Sequence, residues 1–243
     1  GLEVAYCDLP PTDDHLLYGY AAWPVSELLA RLLIDRSLGR SEADSEASIP
    51  DVRQQAVLEV GAGVGLAGLA CSALGAREVL LTDGEERLVR SLQSEHGHKD
   101  GVRAALLDWR EDGGGEQFDV ILGSDIILSV CGGHIYVPRV IGSRLKRTPG
   151  ARALLLAPLR KAETAAVALR ELENQGLHVS LFVVCAAASL VSVPRERLKT
   201  LAPEAVLLIV ARWFSPAHAA VEEHEECDID SDLAELLQVE DSD

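Results

Sequence analysis

Apolar residues along the chain follow two alternating spacings, one typical of helices and the other typical of strands. After Pro24, apolar side chains recur every three or four positions, which predicts a helix with one buried face. Short apolar runs predict seven strands, at residues 56–60, 78–82, 102–107, 118–123, 153–157, 179–185 and 205–211. Helical spacing returns between most of these runs, most clearly over residues 134–146 and 161–175. The alternation predicts an α/β domain in which a mainly parallel sheet carries helices on both faces.

Three regions lack this pattern, and they divide the chain into segments. Residues 1–20 predict an irregular N-terminal arm, and the polar residues within 37–51 predict a loop. Residues 215–243 predict an acidic, disordered tail, because they contain too few apolar residues to fold alone. The intervening residues 21–214 have the length expected of one large α/β domain.

The formal net charge of −17 is unevenly distributed. Residues 222–243 hold 11 of the 39 acidic residues and no Lys or Arg, which leaves 28 acidic and 22 basic residues elsewhere, a net charge of −6. The rest of the chain is therefore only mildly acidic. It also lacks a basic stripe that could displace counterions from a phosphate backbone, so we expect no nucleic-acid partner.

The cysteines and the hydropathy indicate where the protein works. Five cysteines are scattered along the chain, and none are spaced as CxxC, which argues against a disulfide framework and against a zinc site. Apolar runs do not approach the roughly 18 residues of a membrane span. We therefore expect a soluble monomer of a reducing compartment, either the cytoplasm or the nucleus, with no membrane partner and no bound metal.

A glycine-rich loop follows the first predicted strand. The run Gly61-Ala62-Gly63-Val64-Gly65 leads from the strand into the next helix, where glycines let the backbone turn sharply and pass close to a ligand. Gly63, Gly65 and Gly68 also satisfy the dinucleotide-binding spacing, and Asp83 lies at the offset expected of a ribose ligand. The loop by itself is therefore compatible with an NAD-dependent dehydrogenase and with a methyltransferase that binds S-adenosylmethionine.

Two acidic features favour the second interpretation. Glu59 lies two residues before the first glycine, where a carboxylate would repel a pyrophosphate but would favour the cationic methionine end of S-adenosylmethionine. Asp108 and Trp109 follow the third predicted strand, where a carboxylate can accept a hydrogen bond from the adenine amine and an indole can pack on the ring. Asp83, at the end of the second strand, can bind the ribose hydroxyls of either cofactor.

These features together resemble the seven-strand protein-lysine methyltransferases, the group that includes enzymes modifying chaperones, calmodulin and elongation factors. The resemblance covers residues 18–212 of this chain. It is carried by the runs Gly19-Tyr20-Ala21-Ala22-Trp23-Pro24, Leu58-Glu59-Val60-Gly61-Ala62-Gly63-Val64-Gly65-Leu66-Ala67-Gly68, Thr82-Asp83, Leu107-Asp108-Trp109 and Phe118-Asp119-Val120-Ile121-Leu122-Gly123-Ser124-Asp125. It implies a Rossmann-like sheet of seven strands whose last strand is antiparallel, S-adenosyl-L-methionine as cofactor and a protein as substrate.

The resemblance also implies roles for individual residues. Trp23, Ser124 and the glycines at 61, 63 and 65 would line the cofactor pocket, together with Glu59, Asp83, Asp108 and Trp109. Asp125 would stand at the mouth of the active site as the catalytic residue. A carboxylate there favours a charged amine, so we expect it to position the amine and stabilise its developing positive charge rather than to deprotonate it.

Two positions depart from the family pattern. The family carries an Asp-x-x-Tyr motif after the fourth strand, whereas Leu128 occupies the tyrosine position here. Arg110 follows Trp109 where many members have glycine. Leu128 leaves a second interpretation open, a catalytically silent relative that binds the cofactor and serves as an interaction protein.

Overall fold

The computed structural model describes residues 19–40, 49–185, 189–202 and 205–213. Its helices are α1 (Pro24–Ser37), α2 (Leu66–Ala73), α3 (Glu86–His96), α4 (Gly133–Arg144) and α5 (Ala162–Asn174). Its strands are β1 (Ala56–Val60), β2 (Glu78–Asp83), β3 (Val102–Leu106), β4 (Val120–Ser124), β5 (Arg152–Pro158), β6 (Leu177–Val184), β7 (Leu190–Ser192) and β8 (Val206–Trp213).

All eight strands form one sheet in the order β3-β2-β1-β4-β5-β8-β6-β7. The pairings among β1 to β5 are parallel, and β8 is inserted between β5 and β6, antiparallel to both. The short strand β7 adds an antiparallel edge through pairs such as Val183–Val191. The predicted Rossmann-like sheet, mostly parallel with an antiparallel last strand, is confirmed.

Each face of the sheet packs against helices, and the alternation of side chains along the strands builds both layers. In β1, Leu58 and Val60 belong to the core shared with α4 and α5, whereas Val57 points to the opposite core, shared with α1 and α2. All five residues of β1 are buried, as expected of a central parallel strand covered on both sides. This arrangement fixes which face each polar residue of a strand must occupy.

Local sequence sets the helix boundaries. Pro24 occupies the first turn of α1, where its missing N–H is not needed, and the Ser26 hydroxyl donates to the Trp23 carbonyl at 2.7 Å. Glu85 caps α3 by accepting a hydrogen bond from the Arg87 amide. Among the described helices, none is both long enough and apolar enough to cross a membrane.

Most predicted elements are present with small shifts of their ends, and one strand was missed. Strand β7 has only three residues, and its pairing with β6 across an intervening loop leaves no periodic signal in so short a run. Of the predicted segments, residues 1–18, 41–48 and 214–243 lie outside the described residues. Most of the predicted arm, most of the predicted polar loop and the predicted tail therefore lie outside the described part of the chain.

Candidate functional site

A cavity of about 660 Å³ opens at the carboxyl edge of the parallel strands. The segments that follow β1, β2, β3, β4 and β5 all border it, because parallel strands place their carboxyl ends at one edge of the sheet. Its volume lies within the range of about 300 to 1,000 Å³ found for small-molecule sites. Trp23 closes one side from the start of α1 and remains 40% exposed.

The glycine loop forms the floor of the cavity. Gly61 has φ +65°, and a Cβ there would lie 2.7 Å from Ile126 Cγ2 and 3.0 Å from the Trp109 ring. Gly63 has φ +54°, and a Cβ there would lie 2.9 Å from the carbonyl oxygen of Gly19. Backbone conformation and space therefore both require glycine at these positions, as the sequence predicted.

Asp83 lies at the end of β2 and borders the cavity. Its Oδ2 accepts a hydrogen bond from the Gly63 amide at 2.9 Å, and its Oδ1 accepts one from the Glu85 amide at 3.0 Å. Burial raises the pKa of Asp83, and the backbone donors only partly offset this effect. Each carboxylate oxygen has a second lone pair, so both can still accept a hydrogen bond from a ligand hydroxyl.

Glu59 lies beneath the glycine loop and is not among the residues that line the cavity, so its contact with the cofactor stays a prediction. The side chain is 1% exposed, and its Oε2 accepts a hydrogen bond from the Gly68 amide at 2.8 Å. The alternation in β1 directs Glu59 to the α2 face of the sheet, where it satisfies an amide in the first turn of the helix. Burial raises the pKa of Glu59 to about 8.

Gly65 also lies outside the lining of the cavity, and its contact with the cofactor stays a prediction. It adopts φ +77° immediately before α2. A Cβ at this position would lie 3.0 Å from both Leu81 and Leu92, so the glycine is needed for packing of α2 against the sheet. Its contribution to the site is to start the helix in the correct direction.

Asp108 and Trp109 border the cavity after β3. The Arg110 side chain and backbone amide both donate to the Asp108 carboxylate, with Nη2 lying 2.6 Å from Oδ2, and Arg110 thereby lowers the pKa of Asp108 to about 2. The Trp109 ring lies close to the backbone of α4, since a Cβ placed on Gly133 would be only 3.3 Å from it. Its indole N–H is buried and has no hydrogen-bond partner within the described part of the chain.

Asp125 stands at the mouth of the cavity, directly after β4. It adopts φ +55°, a left-handed conformation that is uncommon for a residue other than glycine. The Arg160 guanidinium contacts its carboxylate through both terminal nitrogens, with Nη2 lying 2.7 Å from Oδ2. The Asp125 side chain is only 11% exposed and Arg160 covers it from the end of β5. The backbone conformation and the paired arginine therefore fix this carboxylate in place.

The structure brings together several residues that the sequence analysis did not single out. Arg160 is the most important of them, and its position could have been predicted. It follows β5, and because β5 pairs in parallel with β4, residues after β5 lie near Asp125, which follows β4. Gly19, which belongs to one of the runs that carry the resemblance, touches the glycine loop across a long sequence separation, and periodicity alone does not reveal this contact. Ser124 and Leu128 border the cavity, as the resemblance implied for Ser124.

Comparison with protein families gives one match. Residues 18–131 match the family described as lysine methyltransferase, and this segment contains the glycine loop, Asp83, Asp108, Trp109 and Asp125. The resemblance inferred from the sequence motifs is thus confirmed over these residues. A search of curated proteins returned no match.

Solved structures of methyltransferases share the fold. A TehB-like S-adenosylmethionine-dependent methyltransferase from Corynebacterium glutamicum aligns with TM-score 0.54 and 19% identity, over 77% of this chain and 88% of its own. An S-adenosylmethionine-dependent methyltransferase from Mesorhizobium loti aligns with TM-score 0.51 and 16% identity, over 69% and 94%. The ribosomal protein L11 methylase of Lactobacillus delbrueckii subsp. bulgaricus aligns with TM-score 0.51 and 17% identity, over 80% and 81%. At these identities the likeness establishes the fold alone.

The family match and the fold together identify an S-adenosylmethionine-dependent methyltransferase, and its cofactor is S-adenosylmethionine. The residues of the cavity fit this group. Gly61 and Gly63 leave no room for a Cβ beside the space that a ligand would approach, and Asp83 keeps acceptor capacity for a ribose diol. The lining between them is mainly apolar, as expected of a site for an adenine ring.

Proposed function

We propose that this methyltransferase is a protein-lysine N-methyltransferase whose substrate side chain approaches the cavity beside Asp125. The observation that carries the proposal is the position of Asp125 at the mouth of a cavity built from the segment that matches the lysine methyltransferase family. A carboxylate at that point can accept a hydrogen bond from an amine and stabilise positive charge on its nitrogen.

Separate parts of the cavity would hold the cofactor. Asp83 would accept hydrogen bonds from the ribose hydroxyls, Asp108 and Trp109 would contact the adenine end, and Gly61 and Gly63 would allow close approach of the backbone. Bound S-adenosylmethionine supplies a methyl group that is already activated by its sulfonium. The protein therefore has to bind, orient and exclude water, and orientation contributes most of the rate enhancement.

The pairing of Asp125 with Arg160 affects how the site treats a lysine. A lysine has a pKa of about 10.4 and must lose a proton before its nitrogen can attack. An isolated carboxylate would favour the ammonium form and oppose that loss. Arg160 balances the charge of Asp125, so the mouth is close to neutral and holds the amine without strongly favouring its protonated form. Asp125 is thus the proposed catalytic residue and Arg160 its positioning partner.

A catalytically silent relative remains a second candidate because of Leu128. This residue borders the cavity where the family carries a tyrosine, so the site lacks the hydroxyl that the resemblance implies. Such a protein would bind S-adenosylhomocysteine and methylate nothing. The two candidates differ only in transfer, which makes them separable by one pair of measurements.

The experiment measures binding first and transfer second. Isothermal titration with S-adenosylhomocysteine and with NAD reports the cofactor, and we expect heat only with the former. Incubation with tritiated S-adenosylmethionine and a cell extract then reports transfer, with the methylated residue located by mass spectrometry. Label on a lysine supports the proposal, label on another residue type redirects it, and binding without any transfer supports the silent relative. NAD binding without S-adenosylhomocysteine binding would refute both candidates.

The cellular setting forms part of the proposal. The free cysteines described are Cys71, Cys131 and Cys185, of which Cys71 is buried, and this usage is typical of a reducing compartment. We therefore place the protein in the cytoplasm or nucleus, acting as a monomer on a protein substrate.

A further inference from the structure

The edge of the sheet opposite the cavity carries a cluster of arginines around the end of β8. Ala153 on β5 pairs with Ala211 on the antiparallel strand β8. The next pair toward this edge is therefore Arg152, the first residue of β5, opposite Arg212 on β8. Both side chains therefore point to the same face of the sheet. Like charges in this position are unfavourable, and burial together with the charge of Arg212 lowers the pKa of Arg152.

A third arginine flanks the same strand end from the other face. The Arg147 guanidinium stacks on the Trp213 ring, 4.1 Å from its centroid, and the Arg147 side chain is exposed. Asp119 supplies a carboxylate at this edge, but the Ala56 amide and the Lys146 ammonium already donate to it at 2.9 and 2.8 Å. We call Arg147, Arg152 and Arg212 the basic edge.

The acidic part of the sequence starts a short distance from the basic edge. Trp213 is the last described residue, and residues 222–243 carry 11 acidic residues without a Lys or Arg. Eight residues lie between Trp213 and Glu222, so the two Cα atoms can be at most about 30 Å apart when this segment is fully extended. Because the segment is tethered next to the basic edge, its effective concentration there is on the order of millimolar.

We propose that residues 222–243 dock on the basic edge formed by Arg147, Arg152 and Arg212. Charge complementarity and the exit point of β8 support this occupant over a separate partner. The docking site lies at the amino ends of the parallel strands, so it leaves the cavity at their carboxyl ends open. The inference does not depend on the proposed function.

Carbodiimide cross-linking of the full chain tests the contact directly. Arg212→Lys keeps the charge and adds an amine that can be joined to a carboxylate, and Arg90→Lys on the exposed surface of α3 is the matched control. In 20 mM NaCl we expect links between residues 222–243 and Lys at position 212, few links at position 90 or to Lys161 beside the cavity, and loss of the links in 1 M NaCl. The Debye length falls to about 3 Å at that concentration, which screens the attraction.

Three outcomes would overturn the proposal. Links at position 90 or at Lys161 that equal those at position 212 would show unspecific attraction. Links from position 212 to the acidic segment 41–48 would show that a different part of the chain covers the basic edge. An equal mixture of isotope-labelled and unlabelled chains identifies links between two copies, which would assign the surface to self-association instead.

Thermal unfolding of a truncated chain gives a second test. A docked segment and an undocked segment predict changes in Tm of opposite sign when residues 221–243 are removed. Ending the chain at Ala220 changes the net charge from −17 to −6, which by itself reduces self-repulsion and leaves stability unchanged or raised. If the segment is docked, truncation in 20 mM NaCl instead lowers the Tm by about 2 to 4 °C, as expected for a chain of this size losing a modest interaction. In an Arg152→Gln, Arg212→Gln background the same truncation should not lower the Tm. A Tm that rises on truncation of the otherwise unaltered chain refutes docking.

Discussion

Replacing Glu59 with glutamine tests whether a buried carboxyl group makes the stability of this protein depend on pH. Glu59 is 1% exposed in the middle of the sheet, and burial raises its pKa from 4.5 to about 8. At a pH between 4.5 and about 8, Glu59 holds a proton in the folded protein that it has released in the unfolded chain. The free energy of unfolding must therefore fall as pH rises through this window, and it should level off above it.

The size of the effect follows from the shift. With one additional proton bound in the folded state, each pH unit within the window lowers the free energy of unfolding by about 1.4 kcal/mol. From pH 5.5 to pH 7.5 the contribution of Glu59 amounts to roughly 2 to 3 kcal/mol. Glutamine does not titrate, but its amide NH₂ group would face the amides that begin α2, at a cost of about 1 to 3 kcal/mol at any pH. The stability of the Gln variant relative to wild type should therefore rise steadily from pH 5.5, and the variant should be more stable than wild type at pH 8.5.

The assay is urea unfolding followed by far-ultraviolet circular dichroism at pH 5.5, 6.5, 7.5 and 8.5. The quantity of interest is the difference in unfolding free energy between wild type and Glu59→Gln, because other titrating groups cancel in it. Glu163→Gln on the exposed side of α5 is the control, and its difference from wild type should not change with pH. A Glu59→Gln difference that stays constant over this range, or that increasingly favours wild type as pH rises, would refute the reasoning.

Three further predictions concern the site. Gly63→Val puts a branched side chain on a backbone with φ +54° and against the carbonyl oxygen of Gly19, so isothermal titration should show loss of S-adenosylhomocysteine binding. The control Gly150→Val, where a Cβ meets no neighbouring atom, should bind normally. Asp125→Asn should retain that binding but slow methyl transfer by about 100-fold or more, since an amide cannot balance developing charge, and full activity would reject the catalytic assignment. Arg160→Gln leaves the Asp125 carboxylate unbalanced, which favours the ammonium form of the substrate; the pH–rate profile should move to higher pH, and an unchanged profile would contradict the proposed role.

The sequence was sufficient to predict the order of the elements and the edge at which the site forms. Hydrophobic periodicity located seven strands, and parallel connectivity then places whatever follows them at one edge. Asp83 ends β2, and Asp108 and Asp125 lie within two residues of the ends of β3 and β4, so their convergence on the cavity follows from the parallel connectivity.

The direction of a polar side chain within a fully buried strand could not be predicted in this way. Both faces of β1 are covered by helices, so its apolar residues do not indicate which face is nearer the ligand. Glu59 was assigned to the cofactor because an unexplained carboxylate beside a glycine loop suggests an ionic contact. The structure uses it to satisfy the Gly68 amide, a local need of a helix start that depends on the packing of α2 on the sheet.

Four carboxylates near the glycine loop and the cavity, those of Glu59, Asp83, Asp108 and Asp125, are compensated in three different ways, which limits the negative charge that the site presents. Glu59 lies in the core, where burial raises its pKa and so disfavours its charged form. Asp83 accepts hydrogen bonds from two backbone amides. The carboxylates of Asp108 and Asp125 each form an ion pair with an arginine that donates to both of their oxygens. A cationic cofactor avoids strong electrostatic trapping in such a site, and so would the amine of the proposed lysine substrate. Residues 222–243 contribute −11 of the net charge of −17, so most of the protein's acidity lies outside the residues that form the cavity.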